Sequence, residues 1–252
     1  MAVGAIQGTP SVNDLELNFE TLRFPVTLKT FQSATPTSPD MIVVRAEMPA
    51  NMYANIYEVG IYPEDRATDI ANRSNNILTD FFDLSNWTAT AGNVLVTGFI
   101  PQGSNSPRIG GYSVELLPNT TYQNNTYNIN MLGYSDLDTL QILAYNTVAG
   151  TLTVTLTDTY GNQYPFTYTL QNNDGYQVLS APFPPGIHWT NTVNSISIQT
   201  DGSAVVTIDA IKASVTKELG SSDFIISKSS LNTPIAKNYG VPLDIEYYIQ
   251  LL

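Results

Sequence analysis

Carboxylates, carboxamides and aromatic rings are the side chains here with chemical reach, because the sequence holds one histidine and no cysteine. That lone imidazole, His188 in "PFPPGIHWTN", has no second His or Cys with which to build a metal cluster or a Cys/His nucleophilic pair within one chain. Serines and aspartates are plentiful enough for a Ser/His/Asp triad, yet no G-x-S-x-G elbow accompanies them. Gly110 and Gly111 in "PRIGGYS" lead into no G-K-[ST] and no helix start, so they read as a turn and not as a phosphate loop. Glycosidases use two carboxylates roughly 5 to 10 Å apart. Asp136 with Asp138, and Asp244 with Glu246, are i, i+2 pairs that share a face wherever they lie in a strand. Solvated strand faces carry the same pairs, and nothing in the sequence marks one acid as having a raised pKa.

Aromatic residues are the stronger lead for binding, since 15 tyrosines and two tryptophans offer flat amphipathic faces that stack on sugar rings. Within the central region the aromatic candidates are Tyr112, Tyr122, Tyr127, Tyr134, Tyr164, Tyr176 and Trp189, with Tyr112, Tyr122, Tyr164, Tyr176 and Trp189 taken as the stacking residues. Trp87 in "FFDLSNWTATAG" is expected to plug the start of a sandwich instead. Calcium is the one cofactor the composition leaves open, because carboxylates and carbonyls hold it without His or Cys. Asp83 and Asp209 are the candidate pair, provided that the two ends of the central region meet.

The elements that must position these side chains are strands. "MIVVRAEM", "NVLVTGFI", "YSVELL", "LTVTLTD", "FTYTLQ", "NSISIQT" and "AVVTIDAI" alternate with period two, are rich in β-branched residues, and are bounded by Gly, Pro, Asn and Asp. The turns around Gly161, Gly175 and Gly202 carry hairpin chemistry, which predicts strand pairs over 150–170 and 193–213. A single segment, "PEDRATDIANRSNNILTDFF", reads as helix, with Pro63 and two acids at its start and a narrow stripe of Ile70, Ile77 and Leu78.

This segment and "TKELGSSDF" also mark composition shifts. Neither the run before the first nor the run after the second is long enough to fold alone. The fold class expected is therefore all-β: a discontinuous outer β-domain from both chain ends, 1–75 and 217–252, with an inserted jelly-roll β-sandwich over 76–216. Under that arrangement "DIEYYIQL", Asp244 to Leu251, must pair with a strand from the first sixty residues.

Composition narrows the function classes. The charged fraction is 13% and the formal net charge −12, which disfavours tracking a phosphate backbone, so no nucleic acid partner is expected. No apolar run approaches the ~20 residues of a membrane helix. The first residues show no basic stretch before an apolar core, which predicts synthesis in the cytosol and makes the sequons at Asn72, Asn86, Asn119 and Asn124 chance matches. No repeat of 20–50 residues and no heptad or collagen pattern is present, so an elongated role would come from assembly.

Two resemblances follow from these pieces. The central region, opening on a tryptophan-containing strand and closing on "IDAIKA" from Ile208 to Ala213, resembles carbohydrate-binding-module or galactose-binding-like jelly rolls. The outer region resembles tailed-bacteriophage virion proteins of the fibre, baseplate and appendage type. It does so through "LRFPVTLKTFQ" and "IYEVGIYPED" at one end and "IISKSSLNTPIAKNYGVPLDIEYYIQLL" at the other. These resemblances imply a non-enzymatic virion structural protein in a tail, baseplate, fibre or capsid-surface structure. They imply self-association, with a trimer as first expectation, and contacts with other virion proteins. The rival expectation is a host-surface glycan-binding module, an adhesin or receptor-binding component, recognising sugar through the same sandwich.

Overall fold

The computed structural model describes residues 1–11, 14, 17–35, 39–62, 76–103, 106–131, 134–185, 192–214 and 225–250. Among these residues there is no helix. The leading part of the chain forms β1 (Ala2–Gly4), β2 (Glu20–Arg23), β3 (Leu28–Gln32), β4 (Met41–Met48) and β5 (Ala54–Ile61). Then come β6 (Asn76–Thr79), β7 (Thr88–Ala91), β8 (Val94–Gly98), β9 (Tyr112–Leu116), β10 (Thr121–Asn124) and β11 (Ile129–Asn130). Longer strands follow as β12 (Thr139–Val148), β13 (Gly150–Asp158), β14 (Gln163–Leu170), β15 (Asn173–Pro182), β16 (Thr192–Thr200) and β17 (Val205–Ser214). β18 (Ser227–Lys237) and β19 (Leu243–Gln250) come last.

The chain divides into two compact units, Met1–Arg66 with Lys217–Leu252, and Ala67–Thr216. In the first, antiparallel sheets of order β18-β5-β1-β2 and β19-β4-β3 share one apolar core. β4 explains why: from Val44 on, Val44, Ala46 and Met48 turn inward while Arg45 and Glu47 turn to water. β19 lies against β4 in full register from Leu243↔Met48 to Gln250↔Met41, so the late strand pairs within the first sixty residues as the patterning requires. Glu58, fully buried on β5, holds this unit's parts together. It accepts the Asn18 N–H at 2.7 Å and the Ser230 hydroxyl at 3.1 Å, and pairs with Lys228 of β18 at 3.0 Å.

The second unit is a sandwich of two antiparallel sheets, β15-β12-β17-β9-β8 and β14-β13-β16-β10-β7. Strip β7 and β8 from the edges and the eight strands β9, β10 and β12–β17 stand in orders 9-17-12-15 and 10-16-13-14, the strand order of a jelly roll. Leu152, Val154 and Leu156 from one sheet meet Leu140, Ile142 and Val206 from the other in its core.

β17, which contains "VTIDAI", is the axis of its sheet. One edge pairs with β12 over its whole length; the other pairs with β9 at Val206–Ile208 and with β6 at Ile211–Ala213. Between those halves the register with β12 slips, leaving Asp209 as the extra residue of a bulge, so the inward set runs Val206, Ile208, Ile211, Ala213.

Three expectations need correction. β13 and β14 do form the hairpin over 150–170, with Gly161 at positive φ in its turn. The runs over 193–213 do not pair: β16 and β17 belong to opposite sheets, and the turn at Gly202 carries the chain across the sandwich. Gly175 likewise lies inside β15, and β14 and β15 are in different sheets. Turn chemistry specifies a reversal, and a reversal serves a hairpin or a crossing equally. The expected helix lies largely outside the described residues; its described end is strand, because Ile77 and its neighbours pair with β17.

Candidate functional site

A cleft of about 310 Å³ opens on the sandwich, lined by Leu78, Thr79, Asp80, Phe82, Asp83, Asn86, Asn124, Thr126 and Tyr127. Its first wall is the segment leaving β6. Thr79 Oγ1 accepts the Phe81 N–H, Asp80 Oδ1 accepts the Phe82 N–H at 3.1 Å, and Asp83 Oδ1 accepts the Ser85 N–H at 2.8 Å. These turns fold "TDFFD" tightly enough that Phe81 adopts a left-handed φ of 51°, an uncommon conformation for a bulky residue. Phe81 is driven inward as a result, while Phe82 is left 44% exposed at the rim.

The opposite wall is the end of β10. Asn124 Oδ1 accepts both the N–H and the hydroxyl of Thr126 at 2.9 and 2.8 Å, which leaves the Asn124 NH₂ as the donor. Beneath lies an aromatic floor. Trp87, buried as expected, has its ring 5.0 Å from Phe81, stacks on Tyr122 at 4.9 Å and meets the edge of Tyr127 at 6.0 Å. Burial raises the Asp80 pKa, and the Ser85 hydrogen bonds lower that of Asp83. The lining therefore presents carboxylate acceptors, a carboxamide donor, a hydroxyl and aromatic surface, with no cationic side chain among the lining residues.

Of the candidates named from sequence, Asp83 and Tyr127 line this cleft. Tyr112 is 40% exposed on β9 and is not one of the lining residues. Tyr122 is buried with its face against Trp87, so no sugar reaches it. Tyr164 packs on the core and gives its hydroxyl to Asp158 at 3.2 Å. Tyr176 has the Arg108 guanidinium over its ring at 4.9 Å and Tyr145 edge-on at 5.0 Å, which takes up the surface a sugar would need. Trp189, like His188, lies outside the described residues.

Asp83 and Asp209 are not assembled as a calcium pair. Asp209 is fully buried and spends Oδ2 on the N–H groups of Arg108 and Ile109 at 2.7 and 3.2 Å, and burial raises its pKa well above the ordinary carboxylate range. Among the described residues no group of three or more His, Cys, Asp or Glu could hold a metal. Of the acid pairs, Asp244 and Glu246 share the solvent-facing side of β19, a solvated strand face. Asp138 Oδ2 accepts the Ser135 N–H at 2.9 Å, and Glu246 of β19 is ion-paired with Arg45.

Sequence reasoning missed Asp80, Phe82, Asn86, Asn124 and Thr126. The available signal was "DFFD" and "NNT", short Asx-turn motifs that fold their own backbone.

No family model matches this chain. No curated protein matches it either. Among solved structures it is similar to the enzymatically active domain of bacteriophage CBA120 tailspike protein 4, at 17% identity and TM-score 0.37, over 57% of this chain and 21% of that one. It is similar to CsCBM6-3 from Clostridium stercorarium in complex with cellobiose, at 18% identity and TM-score 0.37, over 56% of this chain and 93% of that one. A third is the family 11 carbohydrate-binding module of cellulase Lic26A-Cel5E of Clostridium thermocellum, at 14% identity and TM-score 0.36, over 57% and 96%. The chain thus spans about a fifth of the tailspike domain it matches. The jelly roll itself is defined by the strand order of this chain.

Proposed function

We propose that this chain is a non-enzymatic structural protein of a tailed-bacteriophage particle, in which the unit built from both chain ends docks into the particle and the jelly roll offers its cleft to a glycan. The observation that carries this is the cleft inside a domain inserted, in sequence, within another. A module whose two ends both return to a second unit is held at two points, which suits presentation of a binding site from an assembly. In the cleft, Asp80 and Asp83 accept hydrogen bonds from adjacent sugar hydroxyls, the Asn124 NH₂ donates, and the exposed Phe82 ring packs on a sugar face.

Titration of the purified chain with oligosaccharides selected on a glycan array tests the binding half. Phe82→Ala and Asp83→Asn are each expected to weaken binding about tenfold, the equivalent of about 1.4 kcal/mol. A flat array, or affinity indifferent to both substitutions, removes the glycan role. Turnover of the bound oligosaccharide would remove the non-enzymatic one. Protein composition of purified particles tests the structural half, and a chain found only free in the lysate would defeat it.

A further inference from the structure

The sandwich ends, on one side, in two edge strands that join through Gly92 and Asn93: β7 for one sheet and β8 for the other. No charged residue stands between Asp83 and Arg108, so neither of these edge strands carries a charge in a chain of net charge −12. β8 puts an exposed apolar side chain on each face, Leu95 at 54% and Val96 at 49%, and Ile100 just beyond it is 58% exposed.

An edge strand of that kind is a template for pairing, and folded proteins blunt such edges with charges, prolines or bulges. Most other edges among the described residues are blunted in that way. β2 carries Glu20 and Arg23, β3 Lys29, β18 Lys228 and Lys237, β19 Asp244 and Glu246, while β14 carries Pro165 and β15 Pro182. β6, β7 and β11 also carry neither charge nor proline, but at four, four and two residues they are shorter than β8. β8 has neither charge nor proline, and its register with β9 runs unbroken from Val94↔Leu116 to Gly98↔Tyr112.

We propose that a second copy of this chain pairs along β8, the two β8 strands antiparallel about a two-fold axis, so that the sheet β15-β12-β17-β9-β8 continues into its symmetry mate. Two features select a copy of this chain as occupant. An antiparallel strand pair is self-complementary, so one neutral edge closes the interface with no second surface needed. Two copies each of charge −12 repel one another over most of their surfaces, and the uncharged margin is where that repulsion is least. The apolar side chains on both faces of β8 then pack against the same side chains of the mate, and the backbone groups left open at the edge find partners.

Light scattering after size exclusion, run on the full chain across a concentration series, tests this. The mass expected is twice 27.5 kDa. Leu95→Glu and Val96→Lys, placed on opposite faces of an already exposed strand, are each expected to return the mass to one chain with the circular dichroism spectrum unchanged. Phe31→Lys on β3 is expected to leave the dimer intact. Amide hydrogen exchange of the unmodified protein gives an independent measure, with protection of residues 94–98 rising with concentration. A single-chain mass at every concentration overturns the proposal. So does the three-chain mass that the phage resemblance implies, or a dimer lost with Phe31→Lys and kept with Leu95→Glu and Val96→Lys.

Discussion

Asp201 concentrates more backbone hydrogen bonding than any acid of the cleft. Its Oδ1 accepts the N–H groups of Ser203 and Ala204 at 2.9 and 2.8 Å, and its Oδ2 accepts the Thr151 N–H at 2.7 Å. One side chain therefore shapes the crossing between β16 and β17 and fastens it to the start of β13. Those donors, the Ser203 N–H first, lower its pKa from 3.8 to about 2. A folded-state pKa below the unfolded one contributes stability at pH values above the unfolded pKa, and that contribution disappears as pH falls through the folded value. The sandwich is thus expected to lose stability between about pH 4 and pH 2. Asp201→Asn, which turns one acceptor into a donor facing the Thr151 N–H, is expected to be less stable at neutral pH and to show a shallower acid limb. Urea unfolding from pH 2 to 7 measures both, and parallel acid limbs would contradict the assignment. That Asp201 belongs to a turn is legible in "QTDGSA". Its bond to Thr151 is not, since that partner stands 50 residues away. Tyr122 and Tyr176 illustrate the same limit, because a tyrosine's readiness to stack depends on whether Trp87 or Arg108 has already claimed its face.

Elements meet at the cleft through a single glycine. Gly110 has φ +68°, and a Cβ there would sit 2.0 Å from the Asp80 carbonyl oxygen, so the loop entering β9 and the segment leaving β6 touch only because the side chain is missing. Gly110→Ala adds both a clash with backbone and a left-handed φ, together expected to cost about 1–3 kcal/mol. Since the displaced group is the backbone of Asp80, the substitution should lower the melting temperature and weaken glycan binding together. Thermal denaturation alongside the oligosaccharide titration follows the pair, and a change in neither would show that the contact does not hold the wall in place. At this scale the sequence is informative about strands and less so about their partners. The Thr/Leu/Val alternation of β13 announces a half-buried strand, and the Gly161 turn its hairpin with β14. Whether a later turn keeps the chain in its sheet or sends it across is decided by the core, which here sends β14, β15, β16 and β17 to alternating sheets. The same competition converts Ile77 and Leu78 from an apparent helical stripe into β6, whose partner β17 lies more than 130 residues on.

For the molecule as a whole, the cores of the two units share no residue. One draws on residues from Leu78 to Ala213, the other on residues up to Ile61 and from Leu231 onward. The resumption of strand patterning after residue 224 makes the pairing of β19 with β4 legible, because an apolar run such as "LDIEYYIQ" needs a neighbour and the early strands lack one. What the pattern does not reveal is the polar fastening at Glu58, which ties the Asn18 backbone, Ser230 and Lys228 to β5 in a fully buried site. Glu58→Ala leaves Lys228, itself nearly buried, with Asp14 at 3.1 Å as its remaining acidic partner, and strips the acceptor from the Asn18 N–H. Breaking a buried pair on one side costs about 3–5 kcal/mol, and the retained Asp14 contact places this case near about 3 kcal/mol. Both tryptophans, Trp87 and Trp189, fall within Ala67–Thr216, so their fluorescence reports the sandwich while far-ultraviolet circular dichroism reports both units. In a denaturant titration, Glu58→Ala should bring forward a circular dichroism phase and leave the tryptophan midpoint where it was. If both signals shift together, the units unfold as one cooperative body, and the separation of their cores has no thermodynamic counterpart.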